Sequence, residues 1–117
     1  MTTAFSISDG RFLVNLARTA IAEYLSKGKI IDPPAETPKH LLDKSGVFVT
    51  LNSTKPTKQL RGCIGYPLPT EPLAVATIRS GIEAATGDPR FEPVELAEFK
   101  DSISVEVSLL TVPEELA

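Results

Sequence analysis

The chain predicts an α+β fold in which two main helices pack on a β-sheet. Three observations predict it. Apolar residues recur at one-and-four spacing from Phe12 to Leu25, the period of a helix with one buried face. Val47, Phe48, Val49 and Thr50 crowd the stretch Gly46 to Leu51 with the β-branched and aromatic side chains that strands favour. From Ser102 to Leu110, serines and Glu106 alternate with Ile103, Val105, Val107 and Leu109, the period of a strand in a sheet that helices cover on one side.

Taken in order, the residues before Ser8 read as a short arm whose Phe5 and Ile7 pack on the first helix. Ser8 or Asp9 caps that helix, and Lys27 with Gly28 supplies its ending. Between Lys29 and Lys44, Pro33, Pro34 and Pro38 break regular structure and an Ile30-Ile31 pair tucks inward. His40 lies there as the sole histidine; without a second one to share a metal or triad geometry, it reads as structural or solvent-facing. The Gly46 to Leu51 strand and a second strand beginning near Leu60 predict an antiparallel hairpin, joined by a wide polar loop through Pro56. A second helix comes next, with Thr70 as cap, Glu71 and Pro72 in its first turn, and Gly87 as its stop. Asp88-Pro89-Arg90-Phe91 turns the chain, and Pro93 to Phe99 suggests a short helical piece before the last strand.

At 117 residues the chain is expected to form one domain over its whole length, with an ordinary globular composition of 42% hydrophobic and 23% charged residues. Twelve basic against fifteen acidic residues give a formal charge of −3 without a Lys/Arg cluster, which disfavours nucleic acid as a partner. One cysteine forms no intrachain disulfide, the first twenty residues lack an uncharged signal core, and no apolar run is long enough to span a bilayer. The expectation is a cytoplasmic protein with no membrane partner, no metal and no cofactor.

The richest stretch for chemistry is Leu60-Arg61-Gly62-Cys63-Ile64-Gly65-Tyr66. In an extended strand, Arg61 and Cys63 project to one face and Leu60, Gly62 and Ile64 to the other. Two readings stand. In the first, the stretch lines a small-molecule or catalytic cleft. Cys63 is the nucleophile, Arg61 lowers its pKa or binds an anion, glycine N–H groups receive an oxyanion, and Glu106 or Asp88 serves as acid or base. In the second, the domain is a non-catalytic interaction module. Cys63 then fills the seam between strand and helix, and Arg61 pairs with a carboxylate. Gly62 and Gly65 serve a turn or close packing, since their spacing is not that of a phosphate loop. Arg90 holds a ligand, caps a helix end or ties down its loop, Tyr66 lines a pocket or covers the core, and Glu106 lies near Arg61 or in solvent.

Leu60-Arg61-Gly62-Cys63-Ile64-Gly65, then Pro67, Asp88-Pro89-Arg90-Phe91 and Val105-Glu106-Val107-Ser108-Leu109-Leu110, together resemble the AMMECR domain family. The resemblance implies an α+β domain in two lobes with helices packed on a mixed sheet, this chain corresponding to its N-terminal portion. It implies no secure catalytic role. Family members are often encoded beside a Memo-like protein and a radical S-adenosylmethionine protein, which suggests a modification pathway. They also continue well past the position of Thr111-Val112-Pro113-Glu114. The chain is therefore expected to be a natural short form, a truncated product or a fragment, with an open sheet edge that invites self-association.

Overall fold

In the computed structural model the structure describes residues 5–110. Its first helix, α1 (Ile7–Lys27), starts earlier than Ser8 or Asp9 would set it. Ser6 is the cap: its hydroxyl accepts from the Asp9 N–H at 3.1 Å and its own N–H donates to Asp9 Oδ2 at 2.9 Å. Asp9 thus closes a capping box from inside the helix. At the other end Gly28 takes a left-handed φ of 68° and donates to the Tyr24 carbonyl, as the Lys27-Gly28 ending predicts. Phe5 packs beside the Leu13 and Leu41 cluster, whereas Ile7 points into solvent. Ile31 is likewise half-buried and Ile30 exposed, so only one member of that pair turns inward.

Strands β1 (Gly46–Ser53) and β2 (Gln59–Tyr66) form the expected hairpin, and β3 (Ile103–Leu110) pairs on the far side of β1. The order is β2-β1-β3. Both pairings are antiparallel, where the family resemblance implied a mixed sheet; no parallel pair occurs among the described residues. Two crossing helices join β2 to β3: α2 (Leu73–Thr86) and the short α3 (Leu96–Ser102). The first turn of α2 lies three residues beyond Thr70. Residues 71–73 are held instead against residues 43–45, through Leu73 N–H to the Asp43 carbonyl at 2.9 Å and a bridge between Lys44 and Pro72. Glu71, freed from the helix, pairs with Arg79 at 2.7 Å.

All three helices lie on one side of the sheet. Val49 and Leu51 pack with Ala17 and Ile21 of α1, Ala84 and Ala85 of α2, and Phe99 of α3. Val47 packs with Leu13, Leu41, Leu73 and Ala76. A third cluster joins the helices to one another, Leu16 and Ala20 of α1 meeting Ala74, Ile78 and Ile82 of α2. The alternate residues of β1, Phe48 and Thr50, are half-buried on the face that bears no helix among the described residues.

Candidate functional site

Among the described residues β2 is an edge strand, and one irregularity decides how it presents its residues. The register runs from Val47 opposite Tyr66 to Leu51 opposite Gly62, then shifts, so that Asn52 faces Leu60. Arg61 is the extra residue of this bulge, and a bulge re-aims side chains. Leu60 therefore lies across from Asn52, on the same face as Thr50 and Cys63, and is exposed. This corrects the simple alternation, which grouped Leu60 with Gly62 and Ile64.

The same shift separates Arg61 from Cys63. The Arg61 guanidinium forks onto Glu98 of α3, with Nε to Oε2 at 2.8 Å and Nη2 to Oε1 at 3.0 Å, while Nη1 donates to the Glu92 carbonyl at 2.7 Å. Only 18% of its side chain is exposed. A bidentate pair of this kind fixes geometry, and here it fastens β2 to α3. Arg61 is thus a tie between elements, not the partner of the thiol. Gly62 faces α2 so closely that a Cβ would run into the Ala84 carbonyl oxygen. At Gly65 a Cβ would collide with the Val47 carbonyl and the Phe48 ring. Ile64 packs on the Val49 cluster, and Tyr66 on the Leu13 and Val47 cluster. These four residues build the strand's seat.

Cys63 stands opposite Thr50, with Sγ 3.3 Å from Oγ1, and the thiol is half-buried. Its N–H points off the sheet edge and donates to Asp88 Oδ2 at 3.0 Å. Asp88 is the organiser that the sequence left undervalued. Its carboxylate accepts four hydrogen bonds: from Cys63 N–H, from Arg90 N–H and Nε at 3.0 Å each, and from Arg90 Nη2 at 2.8 Å. The side chain is 2% exposed. The hydrogen bonds from Arg90, with those from the Cys63 and Arg90 N–H groups, outweigh burial and hold this carboxyl well below the usual carboxylate range. A carboxylate so held is a poor proton carrier near neutrality.

Arg90 in turn is held in its charged form, first by its bonds to Asp88 and then by Asp88's charge, with the nearby Cys63 adding to the effect. Its side chain is 57% exposed, and it lies 5.3 Å from the Phe91 ring centroid. Nη1 forms no hydrogen bond among the described residues, so a fixed cation, tied through Asp88 to the Cys63 backbone, keeps a free donor edge. The signal for this arrangement was in Asp88-Pro89-Arg90: an Asp opening a turn accepts from the N–H two residues on.

Glu106 shares the row, since Thr50 faces Cys63 on one side and Glu106 on the other. Two strand spacings, about 10 Å, separate it from the thiol strand. Its Oε2 accepts from Asn52 Nδ2 at 2.9 Å and its Oε1 lies 3.7 Å from Lys58 Nζ. Neither Arg61 nor Cys63 is its neighbour. The sequence predicts Thr50 as a strand residue and Asn52 as the start of the polar loop, but β1 runs on to Ser53, and their place opposite Cys63 and Leu60 becomes visible only with the register. Elsewhere, His40 Nε2 meets Asp9 Oδ2 at 2.9 Å and braces the start of α1. Among the described residues no three His, Cys, Asp or Glu side chains cluster as a metal site, and no helix is long and apolar enough to cross a membrane.

This architecture, a three-stranded antiparallel sheet with its helices on one side, defines an α+β protein that recurs in a solved structure. The crystal structure of the uncharacterized protein PH0010 from Pyrococcus horikoshii matches with a TM-score of 0.84 and 56% identity, covering 90% of this chain and 52% of that one. Among curated relatives, Protein PYRAB00100 of Pyrococcus abyssi is 60% identical over 107 residues, covering 90% of this chain and 52% of the relative. A protein of Thermofilum pendens is 49% identical over 116 residues, covering 93% and 54%. The AMMECR1 family model matches residues 14–117, and the chain belongs to that family. It spans about half the length of the curated relatives it matches.

Proposed function

We propose that the domain binds, and acts on, a small anionic molecule at the patch formed by Cys63, Thr50, Asp88 and Arg90. The observation that carries this reading is the shared carboxylate. One Asp88 side chain grips both the N–H of Cys63 and the guanidinium of Arg90, so the backbone that carries the thiol and the cation are locked into one unit at the edge of the sheet. Preorganised charge of this kind is what a binding site for an anion requires. Arg90 takes the role that the sequence assigned to Arg61. Glu106 and Asn52 bound the patch on the far side of Thr50. Leu60, exposed on the same face, offers apolar contact.

The test compares alkylation of Cys63 by iodoacetate, an anion, with alkylation by neutral iodoacetamide. Attack by the sulfur forms the S–C bond and releases iodide, so the reagents differ chiefly in charge. A preference for iodoacetate that is lost in Arg90→Ala and kept in Arg61→Ala is expected. Slow reaction with both reagents until the protein unfolds would make Cys63 a packing residue and overturn the reading.

A second reading, an interaction module, has its own observation: β3 has a neighbouring strand on one side only among the described residues. An unpaired edge of eight residues with Glu106 as its single charge is a template for strand addition, including by a second copy. Sedimentation at micromolar concentration discriminates, a stable monomer counting against it.

A further inference from the structure

A cleft of about 380 Å³ lies away from Cys63, lined by Phe12, Asn15, Leu16 and Thr19 of α1 and by Ile31, Asp32 and Pro34 of the segment beyond that helix. Its volume falls in the range of small-molecule pockets. The four α1 residues recur at helical spacing and form one stripe. Phe12, Leu16 and Ile31 give it an apolar floor continuous with the cluster joining α1 and α2.

The rim is preorganised. Pro33 and Pro34 restrict the backbone there, and the Pro34 carbonyl accepts from both the N–H and the hydroxyl of buried Thr37, at 3.0 and 2.7 Å. Among the described residues Asp32 is the only ionisable one lining the cleft, and it makes no ion pair or hydrogen bond with them. Asn15 and Thr19 add polar groups on the helix side. The geometry points to a second binding site, for a small molecule with an aromatic or aliphatic body and one cationic amine. The apolar floor takes the body and the Asp32 carboxylate takes the ammonium group. The site is independent of the thiol patch.

Naphthylethylamine is the probe, with neutral naphthylethanol and anionic naphthylacetate as comparators, and binding is followed by backbone amide shifts. Saturable shifts confined to residues 12–19 and 31–34 are expected, with the amine bound about fivefold more tightly than the alcohol and the anion bound most weakly. Asp32→Asn should bring the amine down to the alcohol. Thr19→Trp, at an exposed helix position, should fill the cleft and abolish binding of all three, with helix content unchanged by circular dichroism. Cys63→Ser should leave amine binding unaltered. Equal binding of the three probes, or an Asp32→Asn protein that still prefers the amine, would overturn the proposal. So would shifts centred on Cys63. Dissociation of a dimer by Thr19→Trp would make the cleft a contact between copies and overturn it as well.

Discussion

Replacing Gly62 by alanine probes the seam on which the candidate site rests. The added Cβ would run into the Ala84 carbonyl oxygen and lie 3.1 Å from the carbonyl carbon, both backbone atoms of α2. A carbon and a carbonyl oxygen sit comfortably at about 3.3 Å or more, so strand and helix must part by roughly 1 Å. A gap of that size forfeits about a quarter to a half of the dispersion energy along the separated surfaces. Here those surfaces include Val49 and Leu51 against Ala84 and Ala85. Overpacking typically costs about 1–3 kcal/mol, and a backbone obstacle that cannot rotate aside argues for about 3 kcal/mol. With a urea slope of about 1.5 kcal/mol per molar, the unfolding midpoint should fall by about 2 M. Gly81→Ala is the control, because a Cβ there would meet Ile21 and Ala17 at 3.4 to 3.6 Å, ordinary contact. It should be neutral or stabilising by up to about 1 kcal/mol through helix propensity. Urea unfolding followed by circular dichroism is the assay, and one cooperative transition is expected if the chain is a single domain. A Gly62→Ala protein within about 0.5 kcal/mol of the parent would refute the packing of α2 on β2.

Other perturbations have equally definite outcomes. Asp88→Asn should lower stability at neutral pH by about 2 kcal/mol, through loss of charge-assisted hydrogen bonds in a buried position. Because the folded Asp88 carboxyl lies below its ordinary value of 3.8, its contribution is complete above about pH 4. It is lost as pH falls further, so acid titration of the unfolding midpoint should be shallower in Asp88→Asn. Asp9 is also lowered, by the Ser6 N–H and then by His40, and its contribution has the same sign; Asp9→Asn should flatten part of the same acid limb. Ser6→Ala should cost about 1 kcal/mol by removing the cap of α1, read as a lower thermal midpoint. Arg61→Ala should destabilise the attachment of α3, seen as faster amide exchange in residues 96–102, while leaving the iodoacetate preference of Cys63 intact.

Local signals settle most of the elements. The one-and-four period of α1, the Gly28 and Gly87 endings, the β-branched run of β1 and the alternation in β3 all act within a few residues, and each is found where the sequence predicts it. Helix starts were less legible. Ser6 caps α1 in place of Ser8 or Asp9 because a reciprocal bond from Asp9 rewards that earlier position. Thr70 loses its role because residues 43–45 capture the chain before α2 begins.

Periodicity and composition express local preferences, and these are enough to set the helices and strands and the antiparallel hairpin that holds Leu60 to Tyr66. Partnership arises only in three dimensions. One extra residue in β2 turns Arg61 to Glu98 and brings Leu60 to the face of Cys63. The fold carries Asp88 and Arg90 from beyond α2 to the edge beside the thiol. Which carboxylate each arginine pairs with depends on register and on the close approach of α2 to Gly62, and both arise from contacts between residues far apart in the chain.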